Sequence, residues 1–166
     1  MTGCYHVDID DARVAARAGY VYLIFAPELP VLYVGQTRAF SGALGRLTQH
    51  LTNGNHSTFR QRCQHILGLE ELDVGPIRFF ACDLGRRREF HSDNSTYREA
   101  VEYVVQLELL KHVPDMTVHV GPIVSRVAAN GYTSLDWVQR AASRLVEQAI
   151  RWLDHSGAST PSRSAL

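Results

Sequence analysis

Three short words in the first third of the chain concentrate side chains that can move protons or grip an anion: GYVYLI at Gly19–Ile24, LYVGQT at Leu32–Thr37 and GRLTQHL at Gly45–Leu51. In the third word Arg46 and His50 stand four residues apart, so on a helix they share one face. A guanidinium can fork two hydrogen bonds onto phosphate oxygens and keeps its charge at any working pH, which suits charge that builds up in a transition state. An imidazole, with a reference pKa of about 6.5, can carry a proton in either direction near neutrality. Tyr20, Tyr22 and Tyr33 add phenols, whose free pKa of about 10 lets them act as bases only beside a proton acceptor or cation-bound water. Singly, such tyrosines pack across strands, such arginines are solvated and such histidines cap or pack. Their joint presence within about thirty residues is what points to chemistry.

The elements that must position these groups follow from patterning. Residues 20–25 and 31–34 are rich in β-branched and aromatic types around a proline-bounded turn and predict a β-hairpin. Gly35, directly after the second strand, is expected to let substrate approach the backbone closely. Leu44, Leu47 and Leu51 repeat at helical spacing and predict a helix over 43–51, which the TNGNHS stretch breaks. A second helix is expected over 58–67 with Ser57 as its cap, and a third strand over 77–82 after Gly75-Pro76. The arginine run Arg86 to Arg88 lies in a charged loop over 85–95. A long helix is expected over 96–112, capped by Ser95 or Thr96 and ended by Pro114. A last helix over 134–154 places Leu135, Val138, Ala142, Leu145, Ala149 and Trp152 on one stripe. Residues 1–18 read as a polar extension with a short helix over 10–18, and residues 155–166 as a disordered tail.

Composition limits the function classes. The chain has 166 residues, 45% hydrophobic and 20% charged, which suits one globular domain with a real core. Seventeen basic residues balance seventeen acidic ones, so a nucleic-acid site would have to be a local patch rather than a global field. Three widely spaced cysteines, Cys4, Cys63 and Cys82, argue against a disulfide framework and suit a reducing compartment. Cys63 and His65 lack the paired spacing of structural zinc. The absence of a membrane-length apolar run and of a leader-like start leads to the expectation of a cytoplasmic protein with no membrane partner.

The two tyrosine words and the arginine–histidine helix word together resemble the GIY-YIG nuclease family, over roughly residues 19–114. The resemblance implies an α+β fold, a small three-stranded antiparallel sheet flanked by helices, with 115–154 as a C-terminal helical extension packed on that core. It implies a metal-dependent endonuclease hydrolysing phosphodiester bonds in DNA, with Mg²⁺ or Mn²⁺ as cofactor. It selects Tyr22 and Tyr33 as the working phenols, beside Arg46 and His50, and asks for a metal-holding glutamate on a later helix. Glu99, Glu102 and Glu108 compete in YREAVEYVVQLELLKH, and the apolar framing of Glu102 by Ala100, Val101, Val105 and Leu109 best matches the family. Two departures stand out. The asparagine many members carry past that glutamate is missing after Pro114, with Asn130, Asn53 or Asn55 as remote substitutes. The stretch between Tyr33 and Arg46 is long, as in restriction-enzyme-like members.

Gln36, Arg38, Arg60 and Arg62, with His56 and the Arg86 to Arg88 run, are candidates to neutralise phosphates beside the cut. None carries a readable base code. On the mechanism implied, Glu102 holds the cation, Tyr22 assisted by His50 acts as or orients the general base, Tyr33 positions nucleophile or phosphate, and Arg46 stabilises the pentavalent charge. Partners beyond DNA would be a second copy or a companion specificity subunit. The alternatives are a catalytically silent nucleic-acid-binding or protein-assembly module on the same scaffold, to which Trp137 and Trp152 would contribute a docking face, or an RNA-cleaving toxin.

Overall fold

In the run YVYLIFA at Tyr20–Ala26 every residue is buried, which a strand with one face in water could not achieve. The computed structural model, which describes residues 9–52, 57–68, 75–115, 120–125 and 128–158, shows why. This strand, β1, is the middle of a three-stranded antiparallel sheet covered on both faces, with β2 (Val31–Thr37) on one side and β3 (Arg78–Asp83) on the other. Four α-helices complete an α+β fold: α1 (Gly42–Leu51), α2 (Thr58–Leu67), α3 (Thr96–His112) and α4 (Asp136–Ala158).

The alternation of side chains along β1 divides the core in two. Tyr22, Ile24 and Ala26 face α1 and α2, packing with Val31, Tyr33, Phe59, Cys63 and Leu47. Val21, Leu23 and Phe25 face α3 and α4, with Leu32, Val34, Val101, Val105, Leu109 and the apolar stripe of α4. In α4 the residues Val138, Leu145, Val146 and Leu153 are buried; at roughly 1.5–3 kcal/mol per such side chain, these four contribute roughly 6–12 kcal/mol. Trp152 packs on Phe80 with ring centroids 5.4 Å apart, and Trp137 on Phe90 at 5.4 Å. Both indoles cover the core.

The last third of the chain also completes the sheet. Residues 120–125 run beside the outer edge of β2 through a parallel bridge between Leu32 and Ile123. The Leu32 amide donates to the Pro122 carbonyl at 3.2 Å and the Val124 amide to the Leu32 carbonyl at 2.9 Å. Segment 120–125 and α4 are therefore integral to the core rather than appended to it.

Several boundaries differ from expectation for identifiable reasons. In place of a helix over 10–18 there is one 3₁₀ turn, Ala12–Ala15, ended by the extended backbone of Ala16 and held to β1 by the Tyr20 hydroxyl, which lies 2.7 Å from the Arg13 carbonyl oxygen and 3.1 Å from that of Ala16. Helix α2 matches 58–67, with Ser57 Oγ accepting from the Arg60 amide. At α3 neither Ser95 nor Thr96 caps; the Asn94 side-chain oxygen accepts from the Thr96 amide at 2.9 Å, while Ser95 Oγ donates to Glu99. The charged loop over 85–95 holds a 3₁₀ turn at Arg88–His91. Helix α4 continues to Ala158, past the 154 boundary expected, since Pro161 is the first obligate helix breaker. Cys4, Asn53, Asn55, His56 and residues 159–166 lie outside the described residues.

Candidate active site

The register of the hairpin decides which phenols meet. Tyr22 pairs with Gly35 across the strands and Ile24 with Tyr33, so both tyrosines project on the α1 and α2 side. Their rings lie 6.3 Å apart between centroids, and the His50 ring sits 5.7 Å from Tyr22 and 5.0 Å from Tyr33. The expectation that Gly35 leaves room for substrate needs correcting. A Cβ there would stand 2.4 Å from the Tyr22 hydroxyl oxygen and 2.8 Å from the Tyr33 ring, so the missing side chain makes room for the phenols themselves.

His50 is fully buried near the end of α1. Its Nε2 lies 2.7 Å from Tyr22 Oη, and its Nδ1 accepts from the Phe59 backbone amide at 3.3 Å. An amide N–H can only donate, so Nδ1 carries the lone pair and the single proton of the neutral ring belongs to Nε2. The imidazole therefore donates to the Tyr22 oxygen and leaves the phenolic O–H to point elsewhere. Burial, reinforced by the charge of Arg46, pushes the His50 pKa down to about 4, so the ring is neutral near pH 7. Burial also pushes the Tyr22 and Tyr33 phenols up, with the Arg46 charge pulling the other way in each case.

Arg46 is half-buried one turn before His50. Its Nη1 donates to Gln49 at 2.8 Å and its Nη2 to the Thr58 hydroxyl at 3.3 Å, which anchors the head at the junction of α1 and α2. Glu102 comes from α3, which packs mainly on the opposite face of the sheet; once ionised it would push both phenols further up. The carboxyl is 6% exposed and accepts a hydrogen bond from Gln106 at 3.4 Å. Burial first, then the neighbouring charge of Glu99, push its pKa up to about 8, against the pull of Arg46. Glu99 accepts from Ser95, and Glu108 is bound to Lys111 at 2.6 Å.

The proposed DNA contacts are scattered. The Gln36 side-chain oxygen accepts from Arg98 Nε at 2.9 Å, and the buried Arg98 also donates to the carbonyls of Phe90 and Ser92. Gln36 thus helps to hold Arg98, and through it the 88–92 turn, against β2. Arg38 is paired with Asp93. Arg60 and Arg62 are half-buried on α2, the helix beside the tyrosines. Arg87 is stacked 4.4 Å over Trp137, on the α4 side of the sheet. Cys63 packs beside the tyrosines whereas Cys82 joins the other core cluster, so the two thiols do not converge.

Sequence reasoning missed Thr58 and Gln106. Gln106 stands four residues beyond Glu102, a helical spacing that could have revealed it. Thr58 reaches Arg46 only through the α1–α2 packing, for which the sequence holds no signal. Comparison with models of known protein families, with curated proteins and with solved structures found no match to this chain.

Proposed function

We propose that the protein is a divalent-cation-dependent endonuclease that hydrolyses phosphodiester bonds in DNA, in keeping with its resemblance to the GIY-YIG nucleases. The observation that carries this reading is geometric: Tyr22 Oη lies 2.7 Å from His50 Nε2, the Tyr33 ring stands 5.0 Å from the same imidazole, and Arg46 sits one helical turn before His50, anchored to Thr58. A cation fits the donor set. Glu102 is a buried acid whose hydrogen-bond partner is the neutral Gln106, with a second carboxylate, Glu99, raising its pKa further. Glu102 would hold Mg²⁺ or Mn²⁺, whose other ligands would be water and substrate oxygens. When bound, such an ion supplies neutralisation of phosphate charge and a more acidic water.

The chain's own groups divide the remaining work. Arg46 stabilises the charge that grows on the phosphoryl oxygens. Tyr22, kept protonated by burial and fixed by the hydrogen bond from His50, orients water or a phosphate oxygen with its O–H rather than abstracting a proton. Tyr33, the more exposed of the two phenols at 8%, positions the phosphate.

A second reading, a nucleic-acid-binding module that does not cut, draws on Asn130. The family's asparagine is missing after Pro114, and the remote candidate Asn130 has its amide donating to the Thr96 carbonyl at 2.9 Å and its oxygen accepting from the Tyr132 amide at 3.0 Å. The two readings separate on incubation with supercoiled plasmid, linear duplex, single-stranded DNA and RNA in Mg²⁺ or Mn²⁺. Nicking of DNA that disappears with chelator, in Arg46→Ala and in Glu102→Gln supports the endonuclease. Intact DNA under every cation and salt condition overturns it, and preferential cutting of RNA moves the substrate class.

A further inference from the structure

On the face of the sheet opposite the phenol–imidazole cluster, an open cavity of about 610 Å³ lies between the 84–90 turn and the first half of α4. Four guanidinium groups border it: Arg86 and Arg87 from the turn, Arg140 and Arg144 one helical turn apart on α4. Among the described residues no carboxylate lines it. In a chain with equal numbers of acidic and basic residues this is a local concentration of one sign. Like charges spaced four apart on a helix weaken it slightly, so folding gains nothing from the arrangement. Among the described residues Arg86, Arg140 and Arg144 make no ion pair, and all three are exposed.

The shape and lining select among anions. The cavity is open and its arginines reach into solvent, which fits a polymer passing over it better than a small molecule enclosed in it. Trp137 offers no bare ring to stack a base, because Arg87 lies 4.4 Å over it and Phe90 and Tyr97 pack on it with centroids 5.4 Å away. Guanidiniums without a stacking platform favour phosphate contacts over base contacts. We propose that this cavity is a second nucleic-acid contact, separate from the cleft, that grips the phosphate backbone through Arg86, Arg140 and Arg144. The proposal rests on the nuclease reading only for the choice of a nucleic acid over other phosphate polymers.

The test is equilibrium binding of a fluorescein-labelled duplex and its single strand by the full chain in chelator, where a cation-dependent cut cannot intervene. Wild type is compared with Arg140→Gln/Arg144→Gln across a salt series, with thermal melting to verify folding. Each arginine withdrawn from a phosphate lowers the slope of log affinity against log salt by about 0.9 on duplex DNA. The double variant is therefore expected to bind more weakly, and its affinity to fall about tenfold less than that of wild type between about 50 and 200 mM salt. Equal affinity and equal slope in the two proteins overturn the proposal. So does poly-glutamate competing as well as DNA at equal charge. A smaller salt slope in the double variant of a protein that never cuts upholds the second contact and overturns only the nuclease reading.

Discussion

Replacing Glu102 by Gln should stabilise the cation-free protein and disarm it in the same step. Folding carries this carboxyl, 6% exposed, from an ordinary value of 4.5 to about 8. Between those limits the unfolded chain is ionised while the folded protein keeps its proton, so the folded state binds more protons and stability falls as pH rises. At about 1.36 kcal/mol per pH unit the loss begins near pH 4.5, reaches about 3 kcal/mol at pH 7 and levels off near 5 kcal/mol above pH 8. Glutamine has nearly the same shape and no charge to lose. Urea unfolding of both proteins in chelator, from about pH 4 to pH 9, should give a variant-minus-wild-type difference that starts near zero and grows to about 3 kcal/mol at pH 7. If Glu102 holds the cation as proposed, Mg²⁺ or Mn²⁺ should reverse the order, since an ion there would compete with the proton and stabilise only the wild type. A difference that stays flat across the pH range in chelator would refute the claim that this acid is held protonated by burial.

Two further outcomes probe the same cleft. His50 shows the opposite dependence: its pKa falls from 6.5 to about 4 on folding, so wild type loses up to about 3 kcal/mol as pH drops through that window. His50→Gln removes this acid loss in urea titrations while costing about 1–3 kcal/mol at pH 8 for the partners left unpaired. Gly35→Ala forces a methyl to within 2.4 Å of the Tyr22 hydroxyl oxygen and should cost about 1–3 kcal/mol of stability together with cleavage. Wild-type melting and wild-type nicking in that variant would mean the phenols are not held as described.

Local signals in the sequence located most elements, and non-local ones escaped it. The hairpin, α1, α2 and the third strand were legible because alternation, leucine spacing and the Ser57 cap act over a few residues. The pairing of 120–125 with β2 was not, since a single parallel bridge between residues as distant in the chain as Leu32 and Ile123 leaves no periodic trace. For the site, helical spacing put Arg46 and His50 on one face, but nothing local says that Nδ1 is taken by the Phe59 amide or that Gly35 serves the Tyr22 ring. Nor could the sequence show that Gln36 meets Arg98, which lies on another element 62 residues away.

The strip 120–125 has a consequence for anyone shortening this chain. A version ending at Pro114 would retain every tyrosine, arginine and glutamate of the candidate site, yet it would bare the Leu32 amide and carbonyl on the rim of β2 and uncover the apolar sides of α3 and β3 on which α4 packs, Phe80 among them. A naked strand rim above an uncovered greasy face is a template for chain-to-chain stacking, so such a fragment should precipitate as ordered aggregates instead of behaving as a minimal enzyme.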